Sequence, residues 1–379
     1  MDTNNNIRLI ATCKFGLEMV VRREVQDLGF QNVVTTDGRV AFDALLSDIP
    51  TVNMWLRAAE RVLLEVATFT AVDFEELYDQ TAVIPWEQWI PADGYFPVNA
   101  KVHKSQIDSP RSTQSIVKKA IVERLMVAHD TDELPETGAE YSIQVAILKD
   151  KVLMTLDTSG DGLHKRGYRL EAGLAPLRET MAAALVMLSF WNSGRLLIDP
   201  FCGSGTILIE AAMIGRNMAP GLNRQFFASE EWPFVEGWDE ARRAAETAVS
   251  DTPLHLFGYD IDPNIIPIAQ RNAERAGVAD DITFAVKDVK KLWIDQEYGI
   301  VITNLPYGER VSDYTELNKI YVSLHKTFRK KKGWSLFFLT ADTMFRLYFK
   351  RAKPNRSRKL YNGNIRVYYY QYHGEKKPK

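Results

Sequence analysis

The sequence predicts an α/β protein in which an open, mainly parallel sheet with a carboxyl-terminal antiparallel hairpin follows smaller α+β units. From about residue 162 onward, apolar strand-like segments alternate with helical segments, a pattern typical of a sheet that is buried on both faces. The last two strand-like segments flank Asn362-Gly363, a pair that favours a hairpin turn. The length of 379 residues suits two or three domains.

The amino-terminal part is predicted to contain two α+β units, residues 1–48 and 49–160. The first has a strand at 7–13, with the sequence IRLIATC, and a helix at 17–30. Within that helix the apolar residues recur at helical spacing before Gly29, which is a common residue after a helix end.

In the second unit, the segment SPRSTQSIVKKAIVERLMVA is predicted to be an amphipathic helix that begins at Ser/Thr caps. Two strands are expected around the turn Lys149-Asp150-Lys151. Further helices are expected at 53–64 and 74–81, and a further strand at 62–69.

Residues 161–379 are predicted to form the parallel sheet. Because each strand is followed by a helix, the ligand crevice is expected at the carboxyl ends of the strands. The closing hairpin distinguishes this sheet from nicotinamide-binding folds. The predicted strands lie at 195–200, 255–260, 282–288, 299–304 and 334–340, and the predicted helices at 206–214, 263–276 and 314–330.

Composition and charge exclude several classes of protein. With 46% hydrophobic and 25% charged residues the chain resembles an ordinary globular protein. No stretch approaches the ~18 consecutive apolar residues of a membrane span. Two cysteines cannot make a disulfide framework, which fits a reducing, cytoplasmic environment.

The net charge of −2 excludes a uniformly basic surface, but residues 346–379 contain eleven Lys or Arg and one acid. That local charge fits either the binding of a polyanion or a solvated basic tail.

A glycine-rich turn, DPFCGSG at 199–205, follows the first strand of the predicted parallel sheet. Gly203 and Gly205 let the backbone pass close to a ligand, and the turn presents free N–H groups at a helix start. The segment lacks the Lys-Ser/Thr ending of a phosphate loop and the three-glycine dinucleotide spacing. A zwitterionic amino-acid group that carries adenosine fits better, with Asp199 accepting from the ammonium group.

Acidic residues follow the next two strands. Asp260 ends the second strand and can accept from both ribose hydroxyls, and Asp288 follows the third strand and can accept from the adenine amino group. Ile261 is placed against the adenine. Asp262, beside Pro263, is expected to cap a helix rather than bind a ligand. Acids at three consecutive strand ends predict an adenosine site.

The fourth strand ends in NLPYGER at 304–310, where we place the reaction. An exocyclic amine on a nucleobase is a weak nucleophile because its lone pair is delocalised into the ring. Two acceptors are needed for its protons, and the Asn304 side-chain oxygen with the carbonyl of Leu305 or Pro306 can supply them. Tyr307 is expected to stack on a flipped base. Taken alone, the segment 304–310 would be interpreted as an ordinary turn after a strand. The acidic residues at the three preceding strand ends favour a catalytic role for it instead.

These motifs resemble those of the class I S-adenosylmethionine-dependent methyltransferases, and more closely those of a group of large-subunit ribosomal RNA guanine-N2 methyltransferases. DPFCGSGT, GYDID and NLPYGER are similar to that group's cofactor and amine-site motifs, and the stretches at 163–169 and 175–185 to its entry into the catalytic domain. The resemblance covers nearly the whole chain. It implies a ferredoxin-like segment and a THUMP RNA-binding domain before a Rossmann-like methyltransferase sheet. The group more often has Asn-Pro-Pro-Tyr, where this chain has Leu305.

The motifs and the resemblance together predict S-adenosylmethionine as cofactor and RNA, most plausibly ribosomal RNA, as partner. No metal site is expected, because the six histidines show no paired ligand spacing. Cys202 is expected to be a small buried residue of the turn rather than a covalent nucleophile. The predicted guanine-site residues are Asn304, Pro306 and Tyr307, and the predicted cofactor contacts are Asp199, Phe201, Cys202, Gly203, Ser204, Gly205, Thr206, Asp260, Ile261, Asp288 and Val289.

The resemblance implies transfer of a methyl group to guanine N2 in 23S ribosomal RNA. The alternatives are a tRNA guanine-N2 methyltransferase, because THUMP domains also serve tRNA modification, and a non-catalytic RNA-binding assembly factor with a vestigial pocket. A DNA adenine-N6 methyltransferase shares the amine chemistry, but the RNA-type amino-terminal domains count against it. The modified nucleotide and the oligomeric state stay open. Two basic sets are candidates for RNA contact or for a solvated surface: Arg111, Lys118, Lys119 and Arg124 on one helix, and His164, Lys165, Arg166 and Arg169 at the domain junction.

Overall fold

The computed structural model describes residues 6–170, 177–307, 314–350 and 353–376, which form two seven-stranded sheets. Some residues of the predicted motifs lie outside the described residues. They are Ala175 and Pro176 of the entry segment, Gly308, Glu309 and Arg310 of the last motif, and Arg351, Lys377 and Lys379 of the basic region.

The amino-terminal sheet is antiparallel except at one edge. Its strands are β1 (Asn6–Thr12), β2 (Gln31–Thr36), β3 (Arg39–Leu45), β4 (Arg61–Thr70), β5 (Val98–His103), β6 (Ile143–Leu148) and β7 (Lys151–Asp157), and its helices are α1 (Glu18–Asp27), α2 (Ile49–Trp55), α3 (Phe74–Ala82) and α4 (Pro110–Ala128). The strand order is β2-β3-β1-β4-β7-β6-β5, with β5 parallel to β6. Since β4 pairs with β1 on one side and with β7 on the other, the two predicted α+β units share one continuous sheet.

The predicted helix at 53–64 is wrong from residue 56 onward. The helix α2 ends at Trp55, and β4 begins at Arg61. The chain leaves the helix because the backbone N–H groups of Arg57 and Ala58 donate to the carboxylate of Glu24 on α1, at 2.7 and 3.1 Å. A buried side chain from a distant element therefore replaces the helical hydrogen bonds.

The amphipathic helix and the hairpin of the second unit are confirmed. The hydroxyl of Ser109 accepts from the N–H of Ser112 at 3.2 Å and caps α4. Lys149 and Asp150 have φ values of 51° and 65°, the left-handed pair that a two-residue hairpin turn requires.

The second sheet has the predicted parallel strands and the predicted antiparallel hairpin. Its strands are β8 (Leu197–Asp199), β9 (Leu256–Asp260), β10 (Ile282–Val286), β11 (Tyr298–Asn304), β12 (Gly333–Thr340), β13 (Arg356–Asn362) and β14 (Ile365–Tyr372), and its helices are α5 (Glu179–Met187), α6 (Thr206–Gly215), α7 (Trp238–Thr247), α8 (Ile265–Arg275), α9 (Tyr314–Phe328) and α10 (Phe345–Phe349). The strand order is β10-β9-β8-β11-β12-β14-β13. Because Asn362 pairs with Ile365, the hairpin loop is Gly363-Asn364, one residue later than predicted.

One apolar core connects the two sheets. A single cluster of buried residues includes Phe42 and Leu64 of the amino-terminal sheet and Leu208 and Ile209 of α6. A second cluster, which includes Leu324 of α9, covers the other face of the parallel sheet. Within the described ranges, no helix combines the length and the apolar character needed to cross a membrane.

Buried charges also join the two regions. Arg166 is only 2% exposed, and its guanidinium donates to the carbonyls of Leu163 and Arg57 and lies 3.4 Å from Glu210 of α6. The side chain of Arg57 in turn donates to the carbonyl of Met218 at 2.7 Å. Neither alternative given for Arg166, RNA contact or a solvated surface, holds, because this side chain is enclosed by protein.

We expect Glu24→Ala to lower the free energy of unfolding by about 3 kcal/mol, because it leaves two buried N–H groups without their acceptor and removes the negative charge near the buried Arg57. Burial raises the pKa of Glu24 to about 7, so the measurement is made at pH 8, where the carboxylate is ionised. Urea denaturation followed by circular dichroism measures the change. The exposed Glu75→Ala is the matched control and should change stability by less than ~0.5 kcal/mol. An equal decrease in the free energy of unfolding in the two variants would contradict this role of Glu24.

Candidate active site

The carboxyl ends of β8, β9 and β11 border a cavity of about 550 Å³. It lies where the strand order reverses between β8 and β11, the usual position of a ligand crevice in an open α/β sheet. The residues that line it are Leu177, Asp199, Phe201, Cys202, Gly203, Ser204, Thr206, Ile207, Asp260, Asp262, Asn264, Ile265, Ile268 and Asn304.

Asp199 ends β8 at the floor of this cavity and is 1% exposed. Its Oδ1 accepts from the hydroxyl of Thr303 at 2.6 Å and from the N–H of Phe201 at 3.1 Å. Burial raises the pKa of Asp199 to about 7; the two hydrogen bonds oppose this effect, and the nearby negative charge of Asp260 adds to it. A cationic ligand in the cavity would therefore stabilise the ionised form of this carboxyl group.

The carboxylate of Asp260 fixes the conformation of the glycine-rich turn. One carboxylate oxygen accepts from the N–H of Gly203 at 3.0 Å and the other from the N–H of Asp262 at 3.1 Å. Each oxygen has a second lone pair for a ligand. Gly203 has a φ of 51°, and a Cβ at this position would meet no atom within 4 Å, so the missing side chain leaves space in the cavity.

Gly205 is required for a different reason. Its φ is 84°, and a Cβ here would lie 3.0 Å from the ring of Phe284 and 3.3 Å from Ala269. This glycine therefore permits close packing of α6 against the sheet, and it does not line the cavity.

Three further predicted cofactor contacts, Ile261, Asp288 and Val289, do not line the cavity. Ile261 is 63% exposed, beside the lining residues Asp260 and Asp262. Asp288 accepts from the N–H of Lys290 at 2.9 Å and caps a short 3-10 turn, while Val289 is buried in the second core cluster. The structure thus brings the turn after β8 and Asp260 together, but not Asp288 or Val289.

Asn304 ends β11 and lines the cavity next to Asp199. Its side chain is 8% exposed, and within the described part of the chain no donor lies within hydrogen-bonding distance of its Oδ1. A buried acceptor without a donor lowers the stability of the fold by about 1–3 kcal/mol. A ligand that donates a hydrogen bond to Asn304 would explain why such an acceptor is kept at this position.

The residues after Asn304 have separate functions in the fold. Leu305 is fully buried, and its N–H donates to the carbonyl of Leu339 at 2.9 Å, a bond that proline could not make. Pro306 is partly buried and does not line the cavity. The hydroxyl of Tyr307 accepts from the side-chain amide of Asn362 at 3.0 Å, which ties this segment to the hairpin.

Sequence reasoning missed several residues that complete the cavity. Thr303 is buried one residue before Asn304 and donates to Asp199. Asn264, Ile265 and Ile268 lie on the first turn of α8 and just before it. Their i, i+1 and i+4 spacing on the helix that follows GYDID was the available signal.

The surroundings of Cys202 agree with its predicted role as a small buried residue rather than a covalent nucleophile. It is 6% exposed, and burial together with Asp199 and Asp260 raises the pKa of its thiol well above the usual value. Among the described residues, no group of three His, Cys, Asp or Glu side chains is arranged to hold a metal ion.

A larger cavity of about 920 Å³ lies at the junction of the two regions. Its lining carries four basic and four acidic side chains, which include the pairs Lys165–Asp161 at 2.8 Å and Arg169–Glu179 at 3.0 Å. The acidic side chains therefore offset much of the positive charge at the junction.

The basic residues of α4 are also largely paired. Lys118 lies 2.6 Å from Glu136, and Arg124 lies 2.5 Å from Glu87. Lys119 lies 3.7 Å from Glu123, at the surface. These pairs favour a solvated, ion-paired surface on α4 over a phosphate-binding one.

Comparison with known families agrees with this geometry. Residues 166–371 match the family described as RMKL-like, methyltransferase domain. The chain belongs to the RMKL-like methyltransferase family. Residues 8–63 of this methyltransferase match the RlmL ferredoxin-like domain, and residues 71–157 match the THUMP domain. The family resemblance and the fold class predicted from the sequence are thereby confirmed.

Two curated relatives differ in how much of them the chain covers. "Putative RNA methyltransferase YpsC" of Bacillus subtilis is 45% identical over 98% of this chain and 97% of its own length. "Ribosomal RNA large subunit methyltransferase K/L" of Psychromonas ingrahamii is 36% identical over 94% of this chain and 48% of its own length. The chain thus spans nearly all of the first relative and about half the length of the second.

A solved structure agrees across the whole chain. "SMU.472, a putative methyltransferase complexed with SAH" is 39% identical and superimposes with a TM-score of 0.93. The match covers 99% of this chain and 100% of that one. At this identity and coverage, both sheets are common to the two proteins.

We expect both thiols of the native protein to react slowly with dithiobis-nitrobenzoate at pH 8. Burial raises the pKa of Cys13 to about 12 and that of Cys202 well above its usual value. The thiolate fraction should make the reaction at least about a hundredfold slower than in guanidinium chloride. The variant Cys13→Ala isolates Cys202. Rapid native labelling of that variant would show that Cys202 is accessible and ionised.

Proposed function

We propose that this methyltransferase transfers a methyl group from S-adenosylmethionine to the exocyclic N2 amine of a guanine in 23S ribosomal RNA. The observation that carries the proposal is the buried Oδ1 of Asn304, which lines the cavity and has no described donor. The name of the K/L relatives supports a large-subunit RNA substrate, and the THUMP match supports RNA binding. Action on ribosomal RNA places the protein in the cytoplasm.

The cavity has the donors, acceptors and space that this cofactor needs. Asp199 offers a carboxyl group to a cation, and Gly203 leaves room for a chain that crosses the turn. Asp260 has lone pairs for the two ribose hydroxyls, and Ile265 and Ile268 supply apolar surface beside it. The cofactor supplies a methyl group on a sulfonium, an electrophile that needs in-line approach and no metal.

Asn304 acts on the nucleophile. Its Oδ1 accepts a hydrogen bond from one N–H of the guanine amine, and the carbonyl of Leu305 or Pro306 accepts a hydrogen bond from the other. These two hydrogen bonds localise the nitrogen lone pair and point it toward the methyl group, so positioning supplies most of the rate. When the nitrogen takes the methyl group, the carbon–sulfur bond breaks and leaves a neutral thioether, and the methylated nitrogen releases one proton to solvent. Tyr307 offers its ring for stacking, and the bond from Asn362 fixes the ring's orientation.

The comparisons favour ribosomal RNA over tRNA through the names of the relatives, whereas the geometry of Asn304 serves either substrate equally. Nucleosides from ribosomal RNA and from tRNA must therefore be examined separately. N2-methylguanosine that depends on this protein in tRNA alone would replace the ribosomal substrate with the alternative.

We expect Asn304→Ala to lower turnover about a hundredfold or more, because the transition state loses a positioned acceptor. The assay uses ribosomal RNA from cells that lack the protein and identifies N2-methylguanosine by mass spectrometry after nuclease digestion. Cofactor affinity, measured by calorimetry, should change by less than about twofold. The paired variant Asp260→Ala should show the opposite result, with weaker cofactor binding. Wild-type turnover by Asn304→Ala would place the amine site elsewhere.

We expect S-adenosylmethionine to bind more tightly as the pH rises from 6 to 7.5. The pKa of Asp199 in the free protein is raised to about 7, so below pH 7 the group is mostly protonated and does not attract a cation. Ionisation across this range should lower the dissociation constant about tenfold. The range stops at pH 7.5 because the ligand's amino group loses its proton at higher pH, which weakens its attraction to Asp199.

The control for this pH dependence is Asp199→Asn, which keeps the shape of the side chain and removes its titration. Its cofactor affinity should be weaker at pH 7.5 and nearly constant over the same range. A pH dependence equal to that of the wild type would show that another group is responsible.

A further inference from the structure

A groove of about 800 Å³ runs between the loop that joins β1 to α1 and the hairpin of β13 and β14. It therefore crosses from the amino-terminal sheet to the methyltransferase sheet. The residues that line this interdomain groove are Cys13, Lys14, Phe15, Gly16, Lys359, Tyr361, Gly363 and Asn364.

The groove combines exposed aromatic surface with positive charge. Phe15 is 57% exposed, so more than half of this residue's surface is available to a ligand. Lys359 is exposed, and its Nζ lies 5.5 Å from the centroid of the Tyr361 ring. The two lysines of the lining face no acid among the lining residues.

The loop that carries Phe15 is held in place. Gly16 has a φ of 92°, and a Cβ here would lie 2.9 Å from the carbonyl oxygen of Lys359, so the loop touches the hairpin backbone directly. The carboxylate of Glu18 accepts from the N–H groups of Gly16 and Gly38 at 2.9 and 3.1 Å. Glu18 therefore fixes the backbone of the loop, and the backbone that carries Phe15 loses little conformational freedom when a ligand binds.

One hydrogen bond connects the hairpin that borders the groove to the segment that follows Asn304. Asn362, which lies between Tyr361 and Gly363 in the chain, donates to the hydroxyl of Tyr307 at 3.0 Å. Tyr307 follows Asn304 by three residues. A strand of nucleotides that placed one base at Asn304 would therefore continue past Tyr307 toward the groove.

We propose that the interdomain groove binds single-stranded RNA of the substrate beside the methylated guanine. A base stacks on Phe15, and Lys14 and Lys359 contact the flanking phosphates, the combination that unpaired nucleic acid requires. The location beside a guanine rests on the proposed function. An acidic peptide would use the two lysines but would gain nothing from a stacked ring.

The test measures binding of a fluorescein-labelled, unstructured 12-nucleotide RNA to the full chain by fluorescence anisotropy. Phe15→Ala should weaken binding at least about fivefold, since stacking contributes about 1–3 kcal/mol per base, and Phe15→Trp should restore it. Lys359→Ala should also weaken binding and reduce the slope of affinity against salt concentration.

The matched controls lie outside the groove. Trp293→Ala removes another exposed aromatic ring, at 77% exposure, and Lys332→Ala removes another surface charge, from a side chain that is 78% exposed. Both should bind the RNA like the wild type. Unchanged binding by Phe15→Ala, with or without an effect of Lys359→Ala, would overturn the proposal, as would equal losses in the controls.

A second readout separates this proposal from the proposed function. On ribosomal RNA, Phe15→Ala should raise the KM for RNA with little change in kcat, whereas cofactor affinity stays constant. If the wild type methylates no ribosomal RNA but the groove variants still lose RNA binding, the groove stands and the assigned substrate fails. If the wild type methylates the RNA and the groove variants match it in KM, the groove proposal fails alone.

Discussion

The candidate site depends on the parallel pairing of β8 with β11 at the centre of the second sheet. In that register, Val301 is opposite Ile198, so the ends of the two strands lie side by side. The hydroxyl of Thr303 donates to Asp199 at 2.6 Å and fixes both ends. This contact places the cofactor-side carboxyl group and the Asn304 amide in one cavity. Without it, the glycine turn and the amine-site motif would be two unrelated loops.

The amino-terminal region is bound to this centre by buried polar contacts rather than by a linker alone. Glu60, just before β4, accepts from Thr180 at 2.6 Å and from Arg178 at 2.7 Å. These two residues lie one and three positions after Leu177, which lines the cavity. The buried guanidinium of Arg166 also joins the carbonyl of Arg57 to Glu210 of α6, so the two regions hold a defined relative position. An RNA strand that contacts the amino-terminal loop is thereby placed relative to Asn304.

Much of the fold follows from local sequence, and the failures share one cause. The strands, the helices after them and both hairpins follow from apolar periodicity and turn residues. The helix expected through residue 64 fails because the carboxylate of Glu24 captures the backbone of Arg57 and Ala58. Leu305, which stands where the family more often has proline, is also explained by a distant partner. Its N–H extends the pairing with β12, and its side chain packs in the core. In each case a distant partner decides the local conformation.

By itself the sequence determined the residue types at each strand end, the glycines of the turn and the alternation that makes a parallel sheet. Those features are local because they depend on spacing and on backbone freedom at single positions. Only the tertiary structure decided that Thr303 satisfies Asp199, that Tyr307 is held by Asn362, and that Asp288 caps a turn outside the cavity. It alone brought Phe15 beside Lys359. Such contacts join residues far apart in the chain, and no periodic pattern encodes the distance between them.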